Sequence, residues 1–493
     1  MITLLMLAPV GLPVLGALAY LLFGWRPATA WIAAGAAAGE LAAAIGLAAV
    51  VDLSGPQIAV GGLARVDALS VFMLLVIGTV GLLATAASPS YLAAEIRAGR
   101  ASMRTAARHS LLVQAFLAAM ASAVLAADLG GLWIAIEATT IVTAFLVGQR
   151  RTRAAVEAAW KYVVICSTGI ALALLGALLL NYAAQHTPVR PGLNLVGLIA
   201  AAHTLDPAVT KIAVAMLVIG FGTKAGLAPL HAWLPDAHSQ APAPVSALMS
   251  GVLLSVAFYA ILRVKLVADA VLGAGFARAL LLVMALASLA LAASLLIAQR
   301  DYKRMLAYSS IEHLALIATG AAVGGPLAMA AVLLHMLGHG LAKGVLFLGA
   351  GQLSQTDGTS RIAQIRAVAA RQPVLAGCLG FGVLALIGLP PFSIFASELG
   401  IARAGFAAGL GWFTAIALSL TAVAGAVLVI HVSRMLLGTP AEGPGAATAS
   451  PRLPAAAGAV LLAGLTLSAA LGVTAGPLTG LLHSAAVIAV GTP

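Results

Sequence analysis

Residues 281–298 read LLVMALASLALAASLLIA, eighteen residues with no charge and no proline. A run of this length and composition is what an α-helix needs to cross about 30 Å of hydrocarbon. Apolar and polar residues do not alternate along it, so it is not a strand of a membrane barrel. Similar runs recur from one end of the chain to the other. The sequence is 62% hydrophobic and 8% charged, where soluble domains carry roughly 25% charged residues. The chain therefore reads as an all-α integral membrane protein, with the lipid bilayer as its first partner.

Working outward from that run, about fourteen spans are expected, near 3–23, 29–50, 67–87, 110–127, 130–148, 157–182, 208–228, 242–262, 277–298, 305–323, 326–350, 373–398, 406–433 and 455–488. The first, MITLLMLAPV onward, lacks the basic flank and cleavage site of a signal peptide and is expected to be retained. The net charge of +11 reports topology. Arg26, Arg97, Arg100, Arg104, Arg108, Arg150, Arg151, Arg153, Arg300, Lys303, Arg304, Arg361, Arg366, Arg371, Arg434 and Arg452 all fall in loops after odd-numbered spans. They make 16 of the 26 Lys and Arg residues. The positive-inside rule places those loops in the cytoplasm and both termini outside; the membrane expected is the plasma membrane of a prokaryote. No basic strip with interleaved aromatics supports nucleic-acid binding. Two cysteines, Cys166 and Cys378, cannot build a four-thiolate iron–sulfur cluster. The scattered glycines form no phosphate loop, and nothing resembles a hydrolytic or hydride-transfer site.

Several ionisable residues nonetheless lie inside apolar runs, where a bilayer makes them costly and usually functional. They are Glu137, Lys224, Glu312 and Glu398, together with His335, His339 and Lys343 in HMLGHGLAKG. Glu137 precedes Lys224 by 87 residues and Glu312 precedes Glu398 by 86. The offset of 174–175 that relates the two pairs also carries Lys161 onto His335. Each unit would hold five spans, and an odd number makes the second copy inverted. Prolines 229 and 235 after Lys224, and 390 and 391 before Glu398, should break a helix in each unit. The divisions expected are helices 1–3 in 1–108, repeats in 109–265 and 266–436, and a C-terminal helix region in 437–493.

Glu137 and Lys224 fit a coupled pair whose proton affinity changes with their separation; a static salt bridge that locks the bundle is the other reading. His335, His339 and Lys343 share one helical face and suit a proton relay. The two histidines also have metal-ligand spacing, although no third ligand accompanies them. Glu312 and His313 are adjacent and cannot share a face, and the repeat favours Glu312 for the axis. Lys161 would take the relay place of the first unit and Glu398 the terminal switch of the second. His231 and His238 either hand protons to the cytoplasmic loop or merely sit at the interface. Glu40 is expected to serve a subunit contact or a cap.

The segments GFGTKAGLAPLHAWLPDAHSQAPAPVSALMSGVLL (220–254), DYKRMLAYSSIEH (301–313) and LPPFSIFASE (389–398) resemble the proton-pumping, antiporter-like membrane subunits of respiratory complex I. That superfamily also includes multisubunit sodium/proton antiporters and membrane-bound [NiFe] hydrogenases. VDALSVFMLLVIGTVGLLA (66–84), GLWIAIEATT (131–140) and AAWKYVVICSTGIALALLG (158–176) are most similar to hydrogenase-4 component F. The resemblance implies fourteen helices with two inverted five-helix units, Glu137 and Lys224 as the paired glutamate and lysine, Glu398 as the acidic member of the second broken helix, and His335 to Lys343 on a central hydrophilic axis. It further implies no cofactor in this chain, with a [NiFe] centre and iron–sulfur clusters in peripheral partner subunits beside other membrane subunits. Some relatives carry a lysine or histidine where this chain has Ser255, and no long lateral helix follows the last spans. The function expected is a proton-translocating subunit of a hydrogenase-like or complex I-like oxidoreductase. A cation/proton antiporter subunit without a redox partner, and a structural anchor with a vestigial channel, are the alternatives.

Overall fold

The computed structural model describes residues 2–438 and 453–491; Arg452 lies outside them. α1 (Ile2–Phe23), α2 (Ile32–Ser54) and α3 (Ala68–Arg97) come first, followed by α4 (Met103–Leu125), α5 (Leu129–Val147), α6 (Arg153–Gln185) and the short α7 (Leu195–Ala200). α8 (Pro207–Ala225) stops at a break and resumes as α9 (Trp233–Gln240). α10 (Ala243–Leu248) passes through a π-helical turn at Met249–Leu253 into α11 (Leu254–Leu272). Next come α12 (Ala274–Ile297), α13 (Tyr302–Val323), α14 (Gly325–Asp357) and the short α15 (Val368–Arg371). α16 (Pro373–Leu386) and α17 (Ser393–Ala407) form a second broken crossing before α18 (Gly411–Leu437), α19 (Ala455–Val473) and α20 (Thr479–Val490). Among the described residues, 13 helical segments are long and apolar enough to cross a membrane. The split α16–α17 crossing brings the total to fourteen. The protein is an all-α, multi-pass membrane protein with discontinuous helices, and its two broken crossings are the seventh and the twelfth.

Two expectations need correction. The span expected over 455–488 is two helices, α19 and α20, because Gly476 and Pro477 open a 3-10 turn between them. α3 and α14 run several residues beyond their apolar stretches. Their polar last turns hold each other, Gln355 Nε2 donating to Glu95 Oε1 at 2.8 Å and to the Tyr91 carbonyl at 3.1 Å, a contact that hydropathy does not register. A small antiparallel hairpin, β1 (Gln57–Ala59) with β2 (Ala64–Val66), covers the loop after α2.

The acidic residues at helix starts are structural. Asp67, Asp128, Asp206 and Asp301 each accept a backbone N–H of the first turn of the helix that follows, satisfying donors that a helix N-terminus leaves free. α10, the π turn, α11, α13 and α14 form the buried centre of the bundle, enclosed by the other helices. The π turn and α14 touch backbone to backbone, since a Cβ on Gly340 would lie 2.8 Å from the Gly251 carbonyl oxygen. Only small residues allow so close a crossing. The ends of alternate crossings meet on one side. Lys303 at the start of α13 donates to the carbonyls of Ser239 and Ala241 at 3.2 and 2.8 Å, and Arg150 donates to the Tyr91 hydroxyl at 3.4 Å.

Candidate functional site: a buried line of ionisable side chains

In the first half, α5 places Glu137 at mid-helix. Its Oε1 accepts from Ser167 Oγ at 3.5 Å, and its Oε2 is buried without a partner among the described residues. The carboxylate lines a cavity of about 560 Å³ between α5 and α6, together with Arg108, Arg151, Phe145 and Trp160. Lys224 is the penultimate residue of α8 and is wholly buried. Its ammonium does not pair with Glu137 here; Nζ donates to Thr140 Oγ1 at 2.8 Å and to the Tyr162 hydroxyl at 2.5 Å. Thr140 lies one turn along α5 from Glu137, so the cation and the carboxylate occupy successive turns. The bundle-locking salt bridge is likewise not formed.

Tyr162 escaped the sequence reading, but a signal existed. It lies on the α6 face that carries Cys166, Gly169, Ala173 and Gly176, and that face packs on α8: a Cβ on Gly169 would meet Thr223 at 2.5 Å. Beyond Lys224 the chain turns at Gly226 and the helix is interrupted. The freed backbone groups find side chains, the Thr223 carbonyl accepting from Trp233 Nε1 at 2.9 Å and the Ala228 N–H donating to Ser288 Oγ at 2.8 Å. A broken helix at membrane depth requires such partners.

The second half is more continuous. His335, His339 and Lys343 lie on one face of α14, each fully buried. His335 bonds on both sides, Nε2 with His313 Nδ1 at 3.0 Å and Nδ1 with Ser397 Oγ at 2.9 Å. His313 Nε2 lies 3.5 Å from Glu312 Oε2. The expectation that only one of Glu312 and His313 could join the axis is thus corrected. Adjacent side chains diverge by about 100° on a helix, but α13 is buried on every side, among α9, α12, α14, α17 and α18, so both side chains point into protein. Ser397 also donates to the Ile394 carbonyl at 2.8 Å. With its one proton so placed, Ser397 accepts from His335 Nδ1–H, and His335 Nε2 accepts from His313 Nδ1–H. His313 Nε2 is then left bare toward Glu312. The chain has a direction, and reversing it requires Ser397 to release Ile394.

Lys343 donates to the Leu306 carbonyl at 2.7 Å and to Ser309 Oγ. The His339 ring lies 5.2 Å from that of His313, and neither His339 nitrogen has a partner among the described residues. His238 of α9 is wholly buried and stacks on Phe347 of α14 at 4.9 Å, bringing the broken crossing of the first half against the helix that carries Lys343. Glu398 packs into the second break. Gly388 has φ +68°, and a Cβ there would lie 2.2 Å from Glu398 Oε2, so only glycine suits the position.

Other candidates lie elsewhere. Lys161 does not reach the line; its side chain is 47% exposed and pairs with Glu157 at 2.7 Å and Asp236 at 3.0 Å. His231 is half-buried, with Nδ1 unpartnered among the described residues. Glu40 is fully buried with neither oxygen partnered among the described residues, which fits neither a subunit contact nor a cap. Ser255 is buried and likewise lacks a partner among the described residues. The contact from this crossing to α13 is a neutral one, Ser250 of the π turn with Ser310 at 2.7 Å. Among the described residues no group of three His, Cys, Asp or Glu is arranged to hold a metal ion.

Comparison with known proteins agrees with this architecture. A family profile described as "NADH:quinone oxidoreductase/Mrp antiporter, TM" matches residues 126–424. The hydrogenase-4 component F homolog of Methylacidiphilum infernorum is 39% identical over 383 residues, 77% of this chain and 80% of that one. NADH-quinone oxidoreductase subunit N of Desulforudis audaxviator is 36% identical over 56% of this chain and 55% of its own length. Among solved structures, a chain of an archaeal membrane-bound sulfane sulfur reductase superposes with a TM-score of 0.88 at 24% identity, covering 99% of this chain and 98% of that one. A chain of the Mrp complex of Dietzia sp. DQ12-45-1b gives 0.85 at 22% identity with the same coverage. At these identities the solved structures speak for the fold.

Proposed function

The chain belongs to the NADH:quinone oxidoreductase/Mrp antiporter membrane family, and on that premise we propose that it is the proton-translocating membrane subunit of a [NiFe] hydrogenase-like or complex I-like oxidoreductase. The observation that carries the reading is the chain Glu312–His313–His335–Ser397, which crosses three helices at mid-bundle through groups that both give and take protons. The names of its relatives, hydrogenase-4 and NADH-quinone oxidoreductase subunits, support the redox assignment over an antiporter without one.

In this reading Glu137, facing the lateral cavity, is the group on which a neighbouring membrane subunit acts. The Lys224 ammonium moves by one turn of α5, from Thr140 and Tyr162 to the Glu137 carboxylate, and the change in charge passes by way of α9 and His238 to Lys343 and the histidines. Glu398, in the second break, exchanges the proton at the far end. The units 109–265 and 266–436 act as the two half-channels, with 1–108 and 437–493 flanking them. The basic loops face the cytoplasm of a prokaryotic cell and both termini face outward. Redox groups, a [NiFe] centre and iron–sulfur clusters, reside in peripheral partners.

The test is mass spectrometry of what copurifies from native membranes in mild detergent. A [NiFe] hydrogenase-like large subunit with iron–sulfur proteins is the expected result. Only small membrane subunits, with no redox protein, would replace this proposal by the antiporter reading. Lys224→Ala should abolish proton movement while the complex still assembles; intact movement would leave a structural anchor.

A further inference from the structure

Where the ends of the seventh, ninth, eleventh and thirteenth crossings converge, on the basic side of the bundle, they enclose a cavity of about 800 Å³. Five guanidinium groups line it, from Arg300, Arg304, Arg361, Arg366 and Arg434. A single carboxylate, Asp301, is among the lining residues, and it is already committed: it caps α13 through the Arg304 N–H at 2.9 Å and accepts from Ser360 Oγ. Arg304 pairs with Asp236 at 2.9 Å. The other four guanidinium groups have no carboxylate within ion-pair distance among the described residues. None of these residues belongs to the proton line.

Four like charges facing one hollow repel each other and gain only if an anion enters. Guanidinium groups suit a phosphate in particular, because their fork matches two of its oxygens. The surroundings select the source of that phosphate. Beside these arginines, Ile297, the last residue of α12, is 61% exposed, and Ile430, one turn before Arg434 on α18, is 49% exposed. A cationic rim above exposed apolar helix faces offers one place for a head group and another for acyl chains, and a free phosphate would use only the first. We propose that this cavity is a binding site for an anionic phospholipid, with Arg300, Arg361, Arg366 and Arg434 gripping the head-group phosphate and α12 and α18 flanking its chains. Basic pockets between transmembrane helices are a recognised means of holding such lipids.

The site ties the loop after α14 to the ends of α12 and α18, so an occupied cavity holds together the half of the bundle that contains the histidine chain.

The experiment uses the full chain in its purified complex, stripped with detergent and re-equilibrated with vesicles of phosphatidylcholine containing phosphatidylglycerol. Retained lipid is quantified by mass spectrometry. Phosphatidylglycerol should be retained selectively, and the triple variant Arg300→Gln, Arg361→Gln, Arg366→Gln should bind it on the order of a hundredfold more weakly, from the worth of each basic residue near an anionic lipid. Inorganic phosphate should not displace it. The corresponding triple lysine variant separates loss of charge from loss of fold and should retain most of the binding. Equal retention by wild type and the glutamine variant, equal retention of phosphatidylcholine, or displacement by inorganic phosphate would each overturn the proposal. So would cross-linking of these arginines to an acidic segment of a partner subunit.

Discussion

Replacing Ser397 by alanine removes one hydroxyl and leaves every ionisable group in place. In the structure this hydroxyl donates to the Ile394 carbonyl and receives His335 Nδ1–H at 2.9 Å. Both Ser397 and His335 are fully buried, and a lost hydroxyl opens less than the roughly 30 Å³ that a liquid water occupies. The His335 donor is therefore left without a partner, at a cost of about 1–3 kcal/mol. If that bond exists in the conducting arrangement, proton transfer through the second half should slow by roughly fivefold to a hundredfold. The assay is proton uptake into proteoliposomes containing the assembled complex, followed with a pH-sensitive dye and normalised to the redox or ion flux that drives it. Ser397→Thr keeps the hydroxyl and should restore most of the rate. Unchanged uptake by the alanine variant, with assembly intact, would show that protons do not pass through His335 and Ser397 and would refute the directed chain.

Tyr162→Phe deletes the hydroxyl that accepts from Lys224 at 2.5 Å; a hydrogen bond to a charged group contributes about 1.5–3 kcal/mol. If the ammonium alternates between Tyr162 and Glu137, the variant should favour the Glu137 position and slow proton uptake about tenfold or more without loss of the complex on native gels. Gly388→Ala puts a Cβ where Glu398 Oε2 packs and demands positive φ of a residue with a side chain. It should cost at least about 1 kcal/mol in thermal stability in detergent and reduce uptake, whereas Gly377→Ala, in open space, should do neither. Asp67→Ala strands Arg263, which donates to Asp67 at 2.7 Å from a site only 7% exposed. Breaking a buried pair typically costs 3–5 kcal/mol, so the variant should lower the denaturation midpoint markedly while Asp67→Ala with Arg263→Met recovers much of it.

Hydropathy was enough for the membrane class and the approximate number of crossings, and the prolines at 229, 235, 390 and 391 for the two breaks. A bilayer penalises each exposed polar group, and proline removes a backbone donor wherever it stands. Those rules are local and need no knowledge of neighbours. The same penalty drew attention to Glu137, Lys224, Glu312, His335, His339, Lys343 and Glu398, since each interrupts an apolar run.

Which groups touch was settled only by the packing of distant helices. Lys224 could be recognised as buried, but whether its ammonium meets Glu137 or rests on Thr140 and Tyr162 depends on how α5, α6 and α8 cross. His313 looked excluded by its neighbour because the sequence describes one helix, and α13 faces several. Lys161 matched His335 in spacing, yet it sits two turns into α6 on an exposed face, where Asp236 reaches it. The sequence by itself determined how often this chain crosses a membrane, where its crossings break and which residues pay to be inside. Only the tertiary structure decided which of those residues form a connected line, because a hydrogen bond depends on distance and direction between helices, and a one-dimensional pattern holds neither.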